Sequence, residues 1–152
     1  NIRFNMNSEV HSLKRNDFTY HLAIPTRWDD NDMLGHLNNV LYYRFFEAVL
    51  VKFVIEEINL DWRDGILSVQ AVESFCQFHQ PLSFPDVIDA GLRVAKLGNT
   101  SIVFEMALFG PNKEAAAASG HMVEVLVDSK TGESRPINSD QRTLLEAFMQ
   151  TR

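Results

Sequence analysis

The sequence predicts an α+β fold in which a mostly antiparallel sheet of about five strands curls around one long apolar helix. Three patterns carry that prediction. Residues from Phe18 alternate, with Phe18, Tyr20, Leu22 and Ile24 on one face and Thr19, His21 and Ala23 on the other. Between Val40 and Ile58 every residue is apolar or aromatic except Arg44, Glu47, Lys52, Glu56 and Glu57. From Ile66 to Val127 the pattern returns to strands and stays there.

The first alternation has period two, the mark of a half-buried strand running towards Trp28. A polar, turn-rich stretch from Asp29 to Asn39 follows and contains Gly35. The five polar residues of the apolar segment spread around the helical wheel, so the helix is expected to be buried on most sides. Asn38 or Asn39 suits its N-cap, because an Asn side chain accepts from the free amides of a first turn. Asn59 to Gly65 reads as a loop. Strands are then expected over Ile66 to His79, Val87 to Lys96, Thr100 to Phe109 and Ala115 to Val127. Gly98-Asn99 and Gly110-Pro111-Asn112 stand between them as turns. Ser139 to Met149 reads as a short helix with Leu144, Leu145 and Phe148 on one side.

Residues 1–16 are polar and irregular and lack the apolar centre of a signal peptide, so they are expected to form a flexible arm. Residues 17–152 are expected to form a single domain, the default for a chain of 152 residues. The composition, 45% hydrophobic and 22% charged, is that of an ordinary globular protein, and a cytoplasmic location is the expectation. A net charge of -6 argues against a nucleic-acid partner, which needs a basic face. No stretch has the roughly 18 apolar residues of a membrane span. The single cysteine, Cys76, excludes an intramolecular disulfide and reads as a small buried side chain rather than a nucleophile. His21, His79 and His121 stand alone in strands without metal-ligand spacing, so no metal is expected.

The chemistry-bearing segment runs from Arg27 to Asn39 and joins a strand to the long helix. Calcium-loop spacing fails in it, because Leu34 and Leu41 fall where oxygen ligands belong. An aspartyl-phosphate site would place its Asp-x-Asp after an apolar parallel strand, a context that Arg27-Trp28-Asp29 does not supply. A solvated acidic turn is the plain alternative. Against it stands the position of the acids, just upstream of a helix N-terminus, whose free amides and partial positive charge favour an anion or a developing oxyanion. A carboxylate beside such donors meets the two needs of acyl-thioester hydrolysis.

Asp30-x-Asp32-x-x-Gly35-His36-x-Asn38-Asn39, followed by Tyr42, Tyr43, Phe46 and Glu47, resembles the signature of the 4-hydroxybenzoyl-CoA thioesterase family of hotdog proteins. Gln80 to Asp86 is similar to that family's Pro-Leu turn, and Leu97 to Ser101 to its Gly and Ser hairpin. The likeness spans Phe18 to Ile137. It implies a hotdog fold and an acyl-CoA thioesterase without cofactor, with Asp32 as nucleophile or general base. It also implies that the Asn39 backbone N–H is the oxyanion donor and that Gly35 lets the chain approach the substrate. His36 and Asn38 would orient the loop or contact substrate, while Asp30 holds the loop. Glu47, two helical turns beyond Asn39, would line an acyl pocket or face a subunit contact. Such enzymes pair two chains into one continuous sheet, which implies a homodimer or homotetramer with Thr100 and Ser101 reaching the site from the partner. The remaining alternatives are an acyl-ACP thioesterase and a non-catalytic acyl-CoA-binding module.

Overall fold

The computed structural model describes residues 13–149, and the strands and helices it contains are those the periodicities mark. In chain order they are β1 (Tyr20–Pro25), α1 (Leu41–Glu56), β2 (Leu67–Phe78), β3 (Val87–Leu97), β4 (Ser101–Phe109), β5 (Ala118–Asp128) and α2 (Ser139–Glu146). The strands form one antiparallel sheet in the order β1-β3-β4-β5-β2. This is the hotdog architecture, a curved sheet packed on a single long helix.

The sheet's inner face follows the period-two rule. Ile88, Ala90, Leu92 and Val94 of β3, and Ile102, Phe104, Met106 and Leu108 of β4, are buried. They meet Tyr42, Phe45, Phe46, Val49, Leu50, Phe53 and Val54 of α1, which recur at helical spacing. Phe53 lies at the centre, edge-on to Phe104 at 5.7 Å and to Tyr20 at 5.2 Å between ring centroids.

Two expectations about α1 need correction. The helix is buried along one face only, while Arg44 and Glu47 stay exposed. A one-sided stripe and an all-round apolar surface share many of the same apolar positions, so composition does not separate them. The helix also starts one residue later than expected. Val40 is its N-cap, and the Asn38 side chain accepts from the Val40 amide at 3.2 Å, just outside the helix.

Most of the arm expected over residues 1–16 lies outside the described residues. Leu13 to Asn16 lie against the sheet, with Lys14 bridged to Ala115 and the Arg15 guanidinium bonded to Asp89 and to the Gly110 and Lys113 carbonyls. Among the described residues no helix is long and apolar enough to cross a membrane.

Candidate active site

The segment between β1 and α1 folds into a miniature hairpin. Asn31 and Leu37 pair as an isolated antiparallel bridge, and the Asp32 amide donates to the His36 carbonyl at 2.9 Å. The turn closes when the Gly35 amide donates to the Asp32 carbonyl at 3.1 Å. Gly35 has φ +79, the left-handed region that favours glycine, and a Cβ there would meet nothing within 4 Å. The glycine is therefore required by backbone conformation rather than by crowding.

Asp30 and Asp32 face opposite ways. Asp30 is 2% exposed. Its carboxyl accepts from the Arg27 amide at 2.8 Å and from the Arg44 guanidinium at 2.8 Å, while its own carbonyl accepts from the Asn38 amide at 3.0 Å. Burial pushes this carboxyl up, but the Arg27 amide and the Arg44 charge outweigh burial and hold it below the usual carboxylate range. It thus ties the loop to α1. Asp32 is exposed, and among the described residues its side chain accepts only the Leu34 amide of its own turn, at 2.8 Å. The second oxygen remains available to a reactant.

A second loop clasps the hairpin from outside. The Leu37 amide donates to the Leu82 carbonyl at 2.7 Å, the Phe84 amide to the Asn31 side chain at 2.9 Å, and the Ser83 hydroxyl to the Gly35 carbonyl at 2.8 Å. The turn from Gln80 to Asp86 therefore supports the acidic loop, and Trp28 stands edge-on to Phe84 across the join.

At the start of α1, the amides of Asn38, Val40, Leu41 and Tyr42 are all engaged. The Asn39 amide donates to no group among the described residues, which leaves it as an open donor one residue before the N-cap. Tyr42 sits within the first turn, its phenol pushed up by burial against the opposing hydrogen bond to the Leu82 backbone, with smaller pushes from Cys76 and then Asp32. The Asp32 charge is thus within electrostatic reach of that turn. Around this polar centre Trp28, Met33, Leu34 and Val40 are exposed apolar side chains.

The other expected residues divide. His36 is exposed and contributes its carbonyl to the hairpin. Asn38 shapes the approach to α1 through its side chain. Glu47 lies two turns along α1 and borders a cavity between that helix and β2. Thr100 sits in the turn between β3 and β4, and Ser101 is the first residue of β4. The acidic loop lies at the opposite end of β3, where Thr26 bonds to Asp86. Eleven residues of strand keep the two apart by about 30 Å within one chain.

Two contributors were not singled out from the sequence. Ser83 lay inside a recognised turn without a stated role. Glu124 of β5 belongs to no motif, and the signal that finds it is its strand phase, shared with Met122 and Leu126, which points it inwards. Cys76 is no rival nucleophile, because burial pushes its thiol up to about 11.

Fold and site together define a hotdog protein with an acidic loop poised over a helix N-terminus. Residues 26–148 match the family model of the thioesterase-like superfamily, and the chain belongs to that family. No curated protein matches it in sequence. Among solved structures it is similar to the PA5185 protein of Pseudomonas aeruginosa, at 38% identity over 91% of this chain and 96% of that one, with a TM-score of 0.86. It is also similar to a thioesterase of Thermus thermophilus solved with coenzyme A and zinc, at 25% identity over 86% and 94% of the chains, TM-score 0.73. Its fold is further shared with a DHNA-CoA thioesterase of Staphylococcus aureus, at 14% identity over 84% and 91% of the chains, TM-score 0.73.

Proposed function

We propose that the chain is an acyl-CoA thioesterase in which Asp32 acts on the thioester carbonyl and the Asn39 amide receives the oxyanion. The observation that supports this reading best is the free Asn39 N–H at the head of α1, with an exposed, half-engaged carboxylate on the adjoining hairpin. A thioester whose carbonyl oxygen accepts from Asn39 would present its carbon to Asp32 or to a water that Asp32 deprotonates. Attack places negative charge on that oxygen, where the amide and the helix dipole stabilise it. Collapse of the tetrahedral intermediate expels the thiolate; attack by water leaves the carboxylic acid directly, whereas attack by Asp32 leaves a mixed anhydride that a water then hydrolyses to the acid and free Asp32. Neither step calls for a metal. Gly35 gives the substrate close access, and His36 and Asn38 shape the loop around it.

The same reading takes the working molecule as a homodimer or larger. β2 is an edge strand with a second side unpaired, and Val72, Phe75 and Phe78 along it are exposed. Pairing two such edges would extend the sheet and cover that surface. A partner is also what could bring Thr100 and Ser101 to an Asp32 they do not approach within one chain.

The test is thiol release from short, long and aromatic acyl-CoAs and from acyl-ACP, with Asp32→Asn in parallel. Turnover that drops by about 10²-fold or more in the variant supports the assignment. Wild-type rates in Asp32→Asn would overturn it, and a preference for acyl-ACP would change the carrier.

A further inference from the structure

Glu124 is buried, at 3% exposure, on the inward face of β5, where its register partners are Ile102 of β4 and Ala71 of β2. Its carboxyl enters no hydrogen bond or ion pair among the described residues. No sealed side-chain oxygen or nitrogen among them lacks a partner, so the carboxyl meets open space rather than closed protein. That space is a cavity of about 250 Å³ between α1 and β2, walled by Leu50, Val54, Leu60 and Val69, with Glu47 on its rim. The other polar side chains of the lining are Ser68 and Glu47, and an acid buried there without a partner is costly to keep unless something in the cavity answers it.

The cavity lies alongside α1, the helix whose first turn adjoins the candidate site. Along α1, Glu47 is eight residues from Asn39, about 12 Å at the helical rise. That span equals roughly ten covalent bonds of an extended chain, at the ~3.5 Å that three backbone bonds cover. An acyl group of that length running along α1 from a carbonyl on the Asn39 amide would end level with Glu47, which lines the same cavity as Glu124.

We propose that this cavity receives the far end of the acyl group and that Glu124 selects acyl groups carrying a hydroxyl there. The proposal rests on the thioesterase reading above and deepens it. Burial, and then the charge of Glu47, push the Glu124 carboxyl up to about 7, so near neutral pH it holds a proton about half the time. A carboxylic acid in that state can both donate and accept, and a hydroxyl answers both. A plain hydrocarbon end leaves the acid unanswered, and a carboxylate end meets the negative charge of Glu47.

The experiment compares decanoyl-CoA, 10-hydroxydecanoyl-CoA and 9-carboxynonanoyl-CoA by kcat/KM in wild type, Glu124→Gln and Glu124→Leu. Wild type is expected to favour the hydroxylated ester over the plain one by about tenfold or more and to turn over the carboxylated one least. Glu124→Gln, whose amide also donates and accepts, should keep most of that preference, and Glu124→Leu should reverse it. Hydrolysis without a hydroxyl preference, or a preference that survives Glu124→Leu, overturns the proposal and leaves the thioesterase reading intact. If no thioester is hydrolysed, that reading falls, and calorimetry with the thioethers S-(10-hydroxydecyl)-CoA and S-decyl-CoA decides the cavity's role. Tighter binding of the hydroxylated thioether, lost in Glu124→Leu, upholds the proposal, and equal binding overturns it. Should Glu124→Leu fail to fold, the wild-type order and Glu124→Gln still decide.

Discussion

Two aspartates two residues apart have opposite physical fates in this chain, and substitutions should separate them. Asp30 holds the Arg27 amide and the Arg44 guanidinium from a buried position, so Asp30→Ala strands a backbone donor and an arginine that is 47% exposed. The expected loss is about 2 kcal/mol in urea unfolding, discounted for the solvent that still reaches Arg44. Asp32→Asn keeps an oxygen for the Leu34 amide and should shift the unfolding midpoint hardly at all. A large stability loss at Asp32 would mean that its carboxyl is part of the scaffold. Gly35→Ala meets no neighbour but must hold a left-handed backbone, at a cost of about 1 kcal/mol. The same melts read it, and circular dichroism should show an unchanged fold.

At the scale of elements, the edge strand hangs on one close approach. A Cβ on Gly120 would lie 2.0 Å from the Phe75 carbonyl oxygen, in the backbone of β2, which cannot swing aside as a side-chain tip can. Gly120→Ala is expected to cost about 3 kcal/mol and to raise amide exchange across β2 while β3 and β4 stay protected. Uniform exchange across the sheet would refute that localisation. β1, β3 and β4 were legible because one face of β3 and β4 is buried and one of β1 half-buried, which puts period two into their sequences. The reach of α1 into the core was not, because Ala48 and Ile55 carry apolar side chains outside the seam that meets the sheet. Within the site, the acids, the turn glycine and the asparagines were legible as a motif. Glu124 was not, because a lone glutamate between Val123 and Val125 looks like a solvent-facing residue until strand phase is counted from Met122 and Leu126.

For the whole molecule, Glu124 links stability to pH. Its folded pKa lies above its unfolded value of 4.5, so its contribution is complete below about pH 4.5 and is lost as pH rises through about 7. The loss amounts to about 3 kcal/mol at most, by the worth of one pKa unit. The groups around it are Glu47 from α1, Ile102 from β4 and Ala71 from β2, of which only Glu47 carries charge. Urea unfolding of wild type and Glu124→Gln at pH 5 and pH 8 checks this. The variant should gain on wild type between the two, and a constant difference would contradict the sign.

The length of β3 has one more consequence. If a working site needs both Asp32 and the Thr100–Ser101 pair, and a single chain holds them at opposite ends of that strand, then no chain is an enzyme by itself. Two inactive preparations, one carrying Asp32→Asn and the other a disabling change at Ser101, should regain turnover when unfolded together and refolded as a mixture. Each hybrid pair would contain one intact site and one doubly damaged one. Dilution should make turnover per chain fall, because catalysis would then depend on how often two chains meet.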